Sequence, residues 1–184
     1  MALVVLTNAL TNIESAAKIP QKFVDFTVGK KAKLSKTNAA TGNVRDDILI
    51  PGTYMIAVID TGVNYLHPAL GGCFGPRCKV AFGYDFVGDK YSASNPIPVP
   101  DNDPLDDCSE SSHGTHVAGI VAGNATKMFQ TGFIPIAPFL GVAPQATLGA
   151  YRIFGCAADT TTTDLITAAI FRAFDDKADI SKLL

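Results

Sequence analysis

The segment Tyr54-Met-Ile-Ala-Val-Ile59 is an almost unbroken apolar run, and Asp60-Thr61-Gly62 ends it with turn residues. A strand that is apolar at successive positions must be covered on both faces, which is the condition of a parallel sheet flanked by helices. The chain beyond it fits that demand. Ser112 is placed to cap a helix that begins at His113 and runs through Val117, Ile120 and Val121. Ala146 to Phe154 reads as a second strand. Thr163 or Asp164 starts a helix through Leu165, Ile166, Ala169, Ile170 and Phe174, an amphipathic spacing. Ala178-Asp-Ile-Ser begins a third strand. Strand, helix, strand, helix, strand predicts an α/β fold with a mainly parallel sheet and helices on both faces. The stretch between the first strand and His113, rich in Gly and Pro from Pro68 to Pro104, reads as a long loop region. Such sheets do their chemistry at the carboxyl ends of strands, where Asp60 falls.

The chain has 184 residues, enough for one core and too few for two full-sized domains. Its formal net charge is -2, and its 15 basic residues are scattered, which argues against a nucleic-acid partner. No apolar run is long enough to span a membrane. The opening Met-Ala-Leu-Val-Val-Leu has no basic flank and ends at Leu6, unlike a signal peptide. Residues 1–50 read as a polar N-terminal segment, with a short helix over Ser15, Ala16 and Ala17 and a linker from Lys30 to Asp47. Residues 51–184 hold the informative segments. Cys73 and Cys78 bracket a Gly- and Pro-containing loop that a disulfide would close; free thiols and, more remotely, a metal site remain open for the four cysteines.

Asp60 sits on a rigid scaffold, though an aspartate capping a turn is the ordinary reading of that position. Asp-Thr-Gly also occurs in aspartic proteases, which need two carboxylates sharing a proton. No second copy exists here, so only a symmetric dimer would serve. Ser112-His-Gly-Thr-His-Val-Ala-Gly-Ile-Val-Ala-Gly123 is the most informative segment. Gly114, Ala118, Gly119 and Ala122 let its helix pack closely on neighbouring backbone. A histidine in the first turn of such a helix, facing an aspartate, is a candidate general base. His113 takes that role. His116 reads as a hydrogen-bonded core histidine. A metal pair of the two lacks the H-E-x-x-H pattern.

Val58-Ile-Asp-Thr-Gly-Val63 resembles the segment around the catalytic aspartate of the subtilisin-like serine proteases, peptidase family S8. Ser112-His-Gly-Thr-His-Val-Ala-Gly119 resembles the segment around their catalytic histidine, and Gly141-Val-Ala-Pro144 with Ala146 to Arg152 resembles the loop and strand that follow. The loop at Cys73 and the run Phe82 to Asp89 look most like secreted fungal members. The resemblance spans about residues 51–181 and keeps the order Asp, His, then Ser. It implies a partial subtilisin-like fold, a serine-type endopeptidase acting on polypeptides, Asp60 as orienting acid and His113 as base. It also implies an extracellular, monomeric protein and an N-terminal segment left from a pro-region.

The serines are Ser15, Ser35, Ser92, Ser94, Ser109, Ser111, Ser112 and Ser181, and none follows Gly-Thr as the family's nucleophile does. The expectation is a chain truncated before the serine segment, inactive alone, and marginally stable because of an unpaired sheet edge and an uncovered helix face. A non-catalytic interaction or inhibitory fragment of the same fold is the alternative. Gly132 to Leu140 reads as an apolar insertion, and Asp107 to Ser112 departs from the family's compact lead into the histidine. No cofactor is expected. Asp101, Asp103, Asp106 and Asp107 make calcium conceivable, with a solvated acidic loop as the plainer reading. Asn124-Ala-Thr126 is a glycosylation sequon.

Overall fold

The computed structural model describes residues 2–4 (as backbone), 54–126, 128 and 136–183. Five strands form one sheet: β1 (Ala2–Val4), β2 (Met55–Asp60), β3 (Val80–Asp85), β4 (Thr147–Arg152) and β5 (Ile180–Leu183). Their order is β1-β5-β2-β4-β3, and every pairing is parallel. Two helices cover it, α1 (His113–Ala122) and α2 (Thr163–Asp175).

Side-chain alternation along β2 assigns each helix its face. Ile56 and Val58 pack with Ala118 and Ala122 of α1 and with Leu148 and Ala150 of β4. Ala57 and Ile59 point the other way, against Ala169 and Ala173 of α2, Tyr151 and Ile153. Both faces of β2 are therefore apolar, which is why its sequence shows no alternation. The parity also puts Asp60 on the α1 side, with Ile56 and Val58. Alanines at the contact points of both helices are fully buried and let the helices lie close to the strand.

β2, β4, β5 and both helices lie where the sequence places them, with α2 preceded by Thr162 rather than Thr163 or Asp164. Two strands were not anticipated. β3 falls in the stretch read as loop: it is partly buried at its four inner positions and carries Gly83 in mid-run, so its pattern is weak. β1 is three residues long and pairs with β5 across almost the whole chain. The expected helix at Ser15–Ala17 and the linker at Lys30–Asp47 lie outside the described residues. Of the apolar insertion, Ile136 to Phe139 are exposed.

All four cysteines are paired. Cys73–Cys78 closes the short loop as expected, and Cys108–Cys156 ties the lead into α1 to the segment after β4. The thiol and metal readings of these residues fall with that pairing.

Candidate active site

Asp60 ends the central strand and is completely buried. His113 is the first residue of α1, and its side chain is about half exposed (54%). The imidazole Nδ1 lies 2.9 Å from both carboxylate oxygens of Asp60. A buried carboxylate thus faces a half-exposed ring across a hydrogen bond, an arrangement that fixes one ring nitrogen and leaves the other for proton transfer. The Thr61 backbone N–H donates to Asp60 Oδ1 at 2.8 Å and supplies a second partner for that carboxylate.

The close approach of helix and strand end depends on glycine. A Cβ on Gly114 would stand 2.1 Å from the Gly62 carbonyl oxygen and 3.1 Å from Asp60 Cβ. Gly62 has φ of 97°, a left-handed conformation that favours glycine, and the Pro104 carbonyl leaves no room beside it. Around this wedge runs a set of hydrogen bonds. The Gly114 N–H donates to Thr61 Oγ1 at 3.0 Å, and Thr61 Oγ1 donates to Asp106 Oδ2 at 2.7 Å. The Asn64 N–H donates to Thr115 Oγ1 at 2.7 Å, and the Val63 N–H to the Pro104 carbonyl at 3.0 Å.

Behind the site lies a buried cation. Arg152 stands beside Asp60 on β4 and beside Asp85 on β3. Its guanidinium donates to Asp85 Oδ2 at 3.2 Å, Asp89 Oδ1 at 2.7 Å and the Leu105 carbonyl at 3.1 Å, and it contacts the sulfurs of Cys108 and Cys156. Burial pushes the Asp85 carboxyl up, while the N–H groups of Gly88 and Val87 and the Arg152 charge pull it down.

Two sequence readings change. His116 is exposed, not a core histidine: three residues along α1 from His113 it turns onto a surface groove of about 390 Å³ shared with His67, Ile120 and Phe139. The acidic cluster is not uniformly solvated. Asp101, Asp103 and Asp107 are exposed, and Asp103 accepts from Tyr65 Oη at 2.6 Å. Asp106 is buried, 3% exposed, and its other oxygen accepts from the Cys108 N–H at 3.3 Å. Burial pushes its carboxyl up, against the Thr61 hydroxyl, the Cys108 N–H and Arg152. Among the four loop aspartates, only the adjacent apolar Leu105 distinguishes this one in the sequence, and that is a weak signal. The lead into α1, residues 107–112, is anchored by the Cys108–Cys156 bridge.

The profile of the Subtilase family matches residues 52–183. The minor extracellular protease Vpr of Bacillus subtilis is 43% identical over 128 residues, which are 70% of this chain and 13% of that protein. The thermophilic serine proteinase of Bacillus sp. strain AK1 is 38% identical over 128 residues, 70% of this chain and 25% of that protein. Among solved structures, the nisin leader peptidase NisP from Lactococcus lactis aligns with a TM-score of 0.49 at 28% identity, over 70% of this chain and 31% of that one. The chain spans a quarter or less of the length of the two protease relatives.

Proposed function

The chain belongs to the Subtilase family, whose profile covers residues 52–183, and from that premise we propose that Asp60 and His113 are the acid and the base of a serine-type endopeptidase triad. The observation that carries the reading is the pairing of His113 Nδ1 with the buried Asp60 carboxylate at 2.9 Å. In this reading His113 Nε2 takes the proton of a serine hydroxyl as its oxygen attacks a peptide carbonyl. The imidazolium then returns that proton to the departing amine, and water resolves the acyl-enzyme by the same route. Asp60 holds the Nδ1–H tautomer and stabilises the cation that forms between the two transfers. Its partner is an imidazole rather than a second carboxylate, which weighs against a dimeric aspartic protease.

None of the eight serines follows Gly-Thr, so the reading assigns the nucleophile to another segment, carried by a longer form of the protein. Residues 51–184 supply the first part of the catalytic domain in that form. Secretion is part of the proposal: two disulfides persist most readily in an oxidising compartment.

A fluorophosphonate probe applied to natively expressed protein, followed by intact mass, tests this. The expected result is a labelled species well above 19.3 kDa and no labelling of the 184-residue chain alone. In the same longer form without the probe, His113→Ala or Asp60→Asn lowers peptidase kcat by about 10⁴- to 10⁶-fold, a range measured in subtilisin, a member of this family. Unchanged turnover in His113→Ala would remove the basis for the assignment.

A further inference from the structure

Helix α1 begins without a cap of its own. The Ser112 side chain makes no capping hydrogen bond, although a helix start leaves backbone N–H groups that need an acceptor. The acceptor for Gly114 is Thr61 Oγ1, which belongs to the turn after β2. Thr61 therefore caps the helix from another element, and it does so from the residue next to Asp60. His113 is bound to Asp60 through its side chain; its neighbour Gly114 is bound to Thr61 through its backbone.

The polarity of this bridge is fixed. A backbone N–H only donates, so the Thr61 oxygen must turn a lone pair toward Gly114 and its proton elsewhere. Asp106 Oδ2, at 2.7 Å, receives that proton. Thr61 and Asp106 are 4% and 3% exposed, so water does not compete for either. Hydrogen bonds to a charged group are stronger than neutral ones, and a chain of them polarises its members. Asp106 is itself held by the Cys108 N–H, and Cys108 is bridged to Cys156.

Resting on the assignment of His113 as base, we propose that Asp106 and Thr61 are positioning residues for it: the Asp106–Thr61–Gly114 bridge seats the first turn of α1 so that the imidazole keeps the Nδ1–H tautomer against Asp60. Neither residue touches the reacting atoms.

The protein has three histidines, so ring ¹⁵N correlation spectra of the 184-residue chain resolve each tautomer. Wild type at pH about 8, above the ordinary histidine range, is expected to show His113 protonated at Nδ1. Thr61→Val keeps the shape and removes the hydroxyl. It is expected to lower the Nδ1–H to Nε2–H ratio at His113 by about tenfold or more, the factor that one lost hydrogen bond to a charged group represents. Thr61→Ser restores the ratio, which a role in packing alone would not predict. If Thr61→Val fails to fold, Asp106→Asn carries the same reading, with an expected drop of at least about threefold as the bond loses its charge. A ratio within twofold of wild type in a folded Thr61→Val or Asp106→Asn, or a loss in Thr61→Ser equal to that in Thr61→Val, overturns the bridge. Absence of the Nδ1–H tautomer in wild type would instead sink the Asp60–His113 assignment, so the two failures are distinguishable.

Discussion

Replacing Gly114 with alanine inverts an ordinary expectation. Inside a helix the change stabilises by about 0.8–1 kcal/mol, because glycine has more backbone freedom to lose. Here the new Cβ would stand 2.1 Å from the Gly62 carbonyl oxygen and 3.1 Å from Asp60 Cβ. A carbon and a carbonyl oxygen need about 3.3 Å, so one side must withdraw by roughly 1 Å. The 62–63 turn has little room to yield, since the Val63 N–H is bonded to Pro104 and Gly62 is pressed against the same carbonyl. The helix therefore moves, and His113 moves with it. The 2.9 Å contact with Asp60 opens to about 3.9 Å, beyond hydrogen-bond reach. Overpacking costs about 1–3 kcal/mol, which matches or exceeds the propensity gain and leaves a net loss of up to about 2 kcal/mol. For a fold of this size that is a fall in Tm of up to roughly 8 °C. Thermal unfolding followed by circular dichroism reads the first effect, and the His113 ring spectrum reads the second as loss of the Nδ1–H tautomer. A Gly114→Ala protein with a raised Tm and an intact tautomer would refute the reasoning, since helix propensity would then have outweighed contact.

Two further outcomes follow from the structure. Removing Cys108–Cys156, which spans 48 positions, is expected to cost about 4 kcal/mol by loop closure, against about 2 kcal/mol for Cys73–Cys78, which spans 5. Urea midpoints of the paired serine variants check the order, and equal losses would show that loop length is not what matters. Asp106 gives a pH dependence of definite sign. Burial raises its carboxyl above the unfolded value of about 3.9, so its contribution to stability is full below that pH and is lost as pH rises through the folded value. Asp106→Asn does not titrate, so its Tm relative to wild type is expected to climb as pH rises above about 4; a difference that falls instead contradicts the shift.

The parts of this fold that were legible in the sequence are those whose signal is local. β2 announced itself because both its faces are buried, and α1 because its small residues recur on one side. Asp60 and His113 were legible as a pair because each sits at the end of such an element. What the sequence hid depends on distant partners. β3 is half-buried at most positions and is interrupted by Gly83, and β1 is too short to show a period. The Cys108–Cys156 bridge joins residues with no shared local pattern. Asp106 looks like its neighbours until folding places it under Thr61. His116 was misread because spacing along a helix tells which residues share a side, not what that side meets.

The acid-bearing strand lies in the middle of the sheet, and its outer partner arrives late. Met55 and Asp179, 124 positions apart, are joined through both the Asp179 carboxylate and backbone hydrogen bonding. Synthesis at about 5–20 residues per second leaves roughly 6–25 s between the emergence of these two residues. For that interval β2 is an apolar strand with at least one bare edge, although Asp60 and His113 are both made before it ends. High contact order slows folding, so the nascent chain is exposed to aggregation and to chaperone capture before the Asp60–His113 pair is secured. Assembly of the site is in this sense a late event, timed by the arrival of β5 rather than by the synthesis of its own residues.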